Sequence, residues 1–113
     1  MRTWVYQLHW RPTLWEDMTK REESVLDEHD RYIESLYTQG LVVLAGAIED
    51  PPTGLVFIQA TDENKAKAIM ASDPCVLSKI VDVTLHAFSA GYVGAGAGYN
   101  HLGDAVESAG ESN

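Results

Sequence analysis

The order of its periodic segments constrains the fold of this chain more than any other feature of the sequence. Four stretches show the alternation or the short apolar run of a strand, and two show the apolar repeat of a helix. The strand-like stretches are residues 3–10, 41–45, 55–60 and 81–88, and the helical ones run from Thr19 to Gln39 and from a cap at Thr61 or Asp62 to Ser72. The chain is therefore expected to follow the order strand, helix, strand, strand, helix, strand.

This order predicts an α+β fold, the ferredoxin-like βαββαβ plait, in which two helices cover one face of a four-stranded antiparallel sheet. The opposite face of the sheet stays bare in that topology. Because large exposed apolar patches are rare on monomers, a second copy of the chain is expected to cover this face. We therefore expect a homodimer in which two sheets face each other, which is a dimeric α+β barrel.

Local signals place the ends of the elements. Thr19 and Glu22 have the spacing of a capping box, and Gly40 suits the position that follows a helix. The apolar run Leu41–Ala45 predicts a buried strand that Gly46 closes. The aromatic side chains that alternate along the first strand are expected to belong to the core and to a dimer interface.

Charge and composition exclude several classes of protein. The chain has 113 residues and a net charge of −9, which suits one globular domain and disfavours nucleic acid and anionic membrane surfaces as partners. Cys75 is the single cysteine, so no intrachain disulfide can form. No stretch reaches the roughly 18 apolar residues that span a bilayer, and we expect a cytoplasmic protein.

The last stretch of the chain differs in composition from the rest. Residues 90–113 hold six of the nine glycines, three acidic residues and neither Lys nor Arg. Such a segment buries too little apolar surface to offset the entropy that it would lose on ordering. We expect one domain over residues 1–90 and a flexible, glycine-rich, acidic tail over residues 91–113.

The two helical segments carry groups of complementary chemistry. At about 100° per residue, His29 lies near the centre of the apolar stripe of the first helix, and Asp73 shares a face with Ile69 and Met70 of the second. A titratable side chain that faces a core needs a hydrogen-bond partner, because an unpaired buried polar group is costly. The two residues are therefore predicted to form a His–Asp dyad.

Taken together, these elements resemble the YCII-related, or YciI-like, domain family. The first helix has the form HxxYIxxLYxxG from His29 to Gly40, the second strand ends in LAG at Gly46, and the second helix ends in ASDP at Asp73–Pro74. The resemblance covers roughly residues 5–88. It implies a dimeric α+β barrel in which a His and the Asp of the Asp-Pro pair line a pocket and act as an acid/base dyad.

The resemblance also bears on the reaction. Relatives in the wider dimeric α+β-barrel superfamily include muconolactone isomerases and small monooxygenases that act on cyclic or aromatic metabolites. The family usually has a bulky apolar residue just after Asp-Pro and often a glycine a few positions on, whereas this chain has Cys75 and the segment Leu77–Ile80 there. The floor of the pocket is therefore expected to differ from that of the family.

Both members of the dyad have a structural interpretation beside the functional one. His29 can be a core histidine that is bonded to a backbone carbonyl. Asp73 can cap a short helix over Cys75–Lys79 and do nothing else, or one carboxylate oxygen can cap that helix while the other orients His29.

Further polar residues are predicted to line the pocket. Gln7, His9 and His86 are expected on the strand face that forms the barrel interior, Gly46 is expected nearby, and Trp15 is a candidate lid. A three-histidine metal site is conceivable there. No HxH or HxxxH pair supports it, so no metal is predicted.

Two functional hypotheses follow. The first is a cofactor-independent enzyme that acts on a small organic metabolite, cyclic or aromatic, by proton transfer, isomerisation or elimination. In it His29 carries the proton and Asp73 orients it. The second is a non-catalytic dimeric module that binds a small ligand or has an accessory role, and neither hypothesis includes a cofactor.

Overall fold

The computed structural model describes residues 1–94 and contains the predicted order of strands and helices, with two short helices added. The elements are β1 (Arg2–His9), α1 (Leu14–Asp17), α2 (Lys20–Thr38), β2 (Val42–Ile48), β3 (Thr53–Ala60), α3 (Glu63–Ala71), α4 (Pro74–Leu77) and β4 (Asp82–Phe88). The ferredoxin-like α+β fold is therefore confirmed. Residues 91–94 are exposed and lie outside any helix or strand, and the rest of the tail predicted over 91–113 falls outside the described residues.

The four strands form one antiparallel sheet in the order β2-β3-β1-β4, so the first strand of the chain lies in its interior. The even-numbered side chains of β1 point towards the helices, and Tyr6 and Leu8 are almost completely buried there. The core continues through Ile58 of β3 to Leu14 of α1 and Val25 of α2. The alternation of aromatic and polar residues in the first strand thus follows the two faces of the sheet.

The ends of α2 are set by the signals in the sequence. The Thr19 hydroxyl accepts a hydrogen bond from the Glu22 backbone N–H at 3.1 Å, and the Glu22 carboxylate accepts one from the Thr19 N–H at 2.9 Å. This is the predicted capping box. At the other end Gly40 has a φ of +78°, a left-handed conformation in which glycine carries no Cβ penalty.

The second strand corrects a prediction. The run Leu41–Ala45 predicts a buried strand that ends at Gly46, but β2 continues through Gly46 to Ile48 and lies at the edge of the sheet. Leu44 is 59% exposed. An unbroken apolar run indicates that a strand can be covered on both faces, but it does not indicate that the same chain provides the cover. Gly46 continues the strand because it pairs with Leu55 of β3.

The sheet face opposite the helices exposes several apolar side chains. The strand registers place one set of side chains on it, and we call this set the bare face: Leu44, Gly46 and Ile48 on β2, Leu55 and Phe57 on β3, Val5, Gln7 and His9 on β1, and Thr84, His86 and Phe88 on β4. The Phe57 and Phe88 rings meet edge to face, with centroids 5.1 Å apart. The exposure of Leu44, Ile48 and Phe88 indicates that no element within residues 1–94 covers this face.

None of the helices within residues 1–94 is both long enough and apolar enough to cross a membrane.

Candidate active site

The site is organised around the carboxylate of Asp73, which is completely buried between α3 and α4. The Asp-Pro pair explains its position, because Asp73 is the N-cap of α4 and Pro74 is its first residue. The Asp73 Oδ1 atom accepts a hydrogen bond from the Cys75 backbone N–H at 2.9 Å. Asp73 therefore caps the short helix α4, as one interpretation of the sequence predicts.

The same carboxylate also accepts hydrogen bonds from two other elements. The Tyr6 phenol on β1 donates to Oδ2 over 2.7 Å. The Nδ1 atom of His29 on α2 lies 2.8 Å from Oδ2 and 2.9 Å from Oδ1. Asp73 thus has the double role that the sequence left open, and His29 bonds to a side chain rather than to a backbone carbonyl.

The surroundings keep the groups next to Asp73 protonated. Burial and the charge of Asp73 raise the pKa of the Tyr6 phenol, and the same two causes raise the pKa of the Cys75 thiol. An ionised carboxylate can only accept hydrogen bonds, so its partners must donate. In the neutral imidazole of His29 we therefore assign the proton to Nδ1, and Nε2 then carries the lone pair.

The second nitrogen of His29 is accessible. No hydrogen bond joins Nε2 to another residue in the described part of the chain, and within that part no buried side-chain nitrogen or oxygen lacks a partner. The His29 side chain is 15% exposed, and because Nε2 has no hydrogen-bond partner among the described residues, that atom is not fully buried. An imidazole that is held at one nitrogen and open at the other can accept and return a proton.

Tyr32 lies beside this network without joining it. It is three residues beyond His29 on α2, and its hydroxyl donates to the backbone carbonyl of Ile69 on α3 at 2.5 Å. Burial first, and the nearby Asp73 charge second, raise the pKa of Tyr32. This hydrogen bond ties α2 to α3 and so supports the helix that carries His29.

His29, Asp73 and Cys75 also form a candidate metal-binding cluster. Ligand atoms of His29, Asp73 and Cys75 all lie within 4.8 Å of one another. A metal-binding cysteine must lose its proton, but the Cys75 thiol is buried and its pKa is raised by burial and by the Asp73 charge. The donor set therefore favours a hydrogen-bond network over a metal centre.

The other polar residues predicted to line the pocket lie elsewhere. Gln7, His9 and His86 are on the bare face, whereas His29 packs on the helical side of the sheet. His9 pairs with Asp82 and His86 with Val5, so the two histidines are four positions, or about 13 Å, apart along the strands. The structure therefore does not bring His9, His29 and His86 together as a metal site.

Gly46 and Trp15 also lie apart from the dyad. Gly46 lines a shallow cavity of about 150 Å³ on the bare face with Leu55 and Phe57, and neither His29 nor Asp73 contributes to it. Trp15 is 55% exposed, and its indole N–H donates to the Glu49 carbonyl at 2.9 Å. That bond joins α1 to the turn between β2 and β3.

Tyr6 is the member of the network that the sequence analysis assigned to the core and the dimer interface, without a role in the site. The alternation of β1 correctly predicts that it faces the helices. The signal that could have found it is chemical, because a fully buried phenol needs an acceptor, and a carboxylate predicted to face the same layer is a candidate.

The comparisons with known proteins agree on the fold. A model of the YCII-related domain family matches residues 8–88. No sequence among curated proteins matches the chain.

Two solved structures are similar to the chain. One is a 5-chloro-2-hydroxyhydroquinone dehydrochlorinase from Burkholderia phenoliruptrix in complex with 2,5-dihydroxybenzoquinone. It is 12% identical, with a TM-score of 0.63 over 79% of this chain and 95% of that one. The other is an antibiotic biosynthesis monooxygenase, 15% identical, with a TM-score of 0.50 over 80% of this chain and 98% of that one. At these identities the likeness establishes the shared fold.

Proposed function

The chain belongs to the YCII-related domain family, and on that premise we propose that it is an acid/base enzyme that acts on a small cyclic or aromatic metabolite without a cofactor. One observation carries the proposal. A buried carboxylate holds Nδ1 of His29 within 2.8 Å while Nε2 of the same ring stays accessible. Asp73 and His29 are then the orienting and the proton-transferring residue.

The arrangement suits reactions that move one proton at a time. The Nε2 atom of His29 takes a proton from carbon next to a carbonyl, and Asp73 stabilises the imidazolium that forms. The imidazolium then returns the proton to another carbon, which completes an isomerisation, or to a leaving group, which completes an elimination. Neither route calls on a covalent nucleophile.

The substrate class rests on chemistry and on one similar structure. The dehydrochlorinase is named for a chlorinated hydroxyhydroquinone and holds a dihydroxybenzoquinone. We therefore place hydroxylated and halogenated aromatic rings, and cyclic enones with an acidic C–H, first in a substrate screen.

We also propose that the enzyme is a homodimer that pairs through the bare face. Leu44, Ile48 and Phe88 expose large apolar side chains on this one surface. Such a surface is rarely left open on a monomer, and a second copy offers an equally apolar one.

The first experiment compares His29→Gln with the unaltered protein on a substrate found in the screen. General acid–base catalysis contributes about 10²- to 10⁴-fold, so kcat should fall by that factor. Glu34→Gln, at an exposed position on the same helix α2, is the control and should keep kcat within about twofold. Unchanged turnover in His29→Gln would refute the role of the dyad. A ligand that binds both proteins within a few-fold and is never turned over would favour a binding module instead.

A further inference from the structure

Tyr6 stands out because its buried hydroxyl contacts the dyad from the opposite end of the sequence. It is 67 positions from Asp73, yet its O–H lies 2.7 Å from Oδ2, and both side chains are fully buried. Tyr6 also precedes the segment of residues 8–88 that matches the family. We therefore infer the role of Tyr6 from its contacts.

The contacts fix how the carboxylate of Asp73 is turned. The backbone N–H of Cys75 holds Oδ1, and the Tyr6 phenol holds Oδ2. With one donor on each oxygen, the carboxylate plane is set, and His29 Nδ1 then lies almost equally far from the two oxygens, at 2.9 and 2.8 Å. If the phenol were absent, only the Cys75 N–H and His29 itself would hold the carboxylate.

We propose that Tyr6 is a positioning residue of the dyad: its phenol holds the Asp73 carboxylate in the orientation that keeps the imidazole proton on Nδ1 and leaves Nε2 of His29 as the proton acceptor. The catalytic part of this inference rests on the proposed function. The part that concerns the position of the proton is independent of it.

The hydrogen bond between Tyr6 and Asp73 depends on the charges around it, so the titratable groups near the carboxylate affect it. Besides Tyr6, the groups near the carboxylate are Tyr32 on α2 and Cys75 on α4, while Asp30 acts on Cys75 from α2. Burial and the Asp73 charge raise the pKa of Tyr6, so its hydroxyl remains a donor through the neutral range. Tyr32 donates to a backbone carbonyl instead, which makes it a matched comparison.

The experiment compares Tyr6→Phe with Tyr32→Phe, since each removes one buried or half-buried hydroxyl and keeps the ring. Nitrogen NMR of the ¹⁵N-labelled histidine ring reports which nitrogen carries the proton in the ligand-free protein, so no substrate is needed. Without the phenol the Asp73 carboxylate is free to turn away from Nδ1, so we expect the His29 signals of Tyr6→Phe to move from a pure Nδ1–H pattern towards a mixture of the two tautomers. The pattern of Tyr32→Phe should not change.

Kinetics provide the second readout. A hydrogen bond of ordinary strength corresponds to a kcat loss of roughly 3- to 12-fold for Tyr6→Phe, with KM within about twofold. If Tyr6→Phe does not fold, site-specific 3,5-difluorotyrosine at position 6 keeps the shape and strengthens the donor. It should then change the His29 ring shifts without loss of the fold.

The outcomes separate this inference from the proposed function. An unchanged His29 pattern in Tyr6→Phe, or an equal change in both variants, overturns the positioning role even if His29 proves catalytic. Full activity of His29→Gln would refute the function, while a tautomer change confined to Tyr6→Phe would still establish how the proton is held.

Discussion

Replacement of Asp73 by alanine should destabilise the protein far more than an ordinary loss of a helix cap. The change leaves two fully buried donors without an acceptor, the Tyr6 hydroxyl and the Cys75 backbone N–H. Each unsatisfied buried donor costs about 1–3 kcal/mol, so the free energy of unfolding should fall by about 2–6 kcal/mol. Small domains have about 5–15 kcal/mol in all, so the variant will be close to unfolding.

The chain offers a matched control in Asp62. It caps α3 as Asp73 caps α4, with its carboxylate accepting from the Lys65 N–H at 2.9 Å, but this bond is exposed to solvent. Asp62→Ala should therefore cost about 1 kcal/mol, the usual value for a cap. Asp73→Asn keeps one oxygen for the cap and should fall between the two alanine variants.

Urea unfolding followed by tryptophan fluorescence and by circular dichroism measures all three variants. The slope of the free energy of unfolding against urea concentration must agree with that of the unaltered protein before the free energies are compared. If Asp73→Ala loses no more stability than Asp62→Ala, then the phenol and the amide find other partners. The view of Asp73 as the centre of a buried network would be refuted.

Two further predictions concern the capping box of α2 and the bare face. Hydrogen bonds from Arg11 and then from the Thr19 backbone lower the pKa of Glu22 from 4.5 to about 2, so its contribution to stability is complete above pH 4.5 and is lost as the pH falls towards 2. In acid titrations of urea midpoints, the stability gap between the unaltered protein and Glu22→Gln should narrow over that range; a constant gap would contradict the assignment. Leu44→Lys should convert the proposed dimer into a monomer in light scattering, whereas Leu77→Lys, on α4, should not; the same mass for both variants would contradict pairing through the bare face.

Features that depend on local chemistry could be predicted from the sequence. The capping box of Thr19 and Glu22 and the stop at Gly40 act within a few residues, so their signals need no knowledge of the fold. The contact between His29 and Asp73 could also be anticipated, because helical periodicity gives the direction of each side chain and the Asp-Pro pair gives the cap.

Features that depend on the surface or side chain packed against a residue could not be predicted from the sequence. The apolar run of β2 is compatible with cover by a helix of the same chain and with cover by a second chain. The sequence therefore does not predict that β2 is exposed at the edge of the sheet. The hydrogen bond of Tyr6 was missed for a similar reason, since alternation assigns a residue to a layer but not to a partner within it. His9 and His86 were correctly assigned to one face, but the distance between them required the register of β1 and β4.

The position of β1 inside the sheet has a consequence for the order of folding. This strand is synthesised before its two neighbours in the sheet, β3 and β4, which follow α2 and β2 in the chain. Pairings of such large sequence separation close long loops and slow the search for the native state. Because Asp73 also lies 67 positions from Tyr6 and 44 from His29, the buried network forms only after most of the chain has left the ribosome. Assembly of the dyad is thus a late folding event, and a nascent chain that stops before Asp73 has the imidazole without its carboxylate.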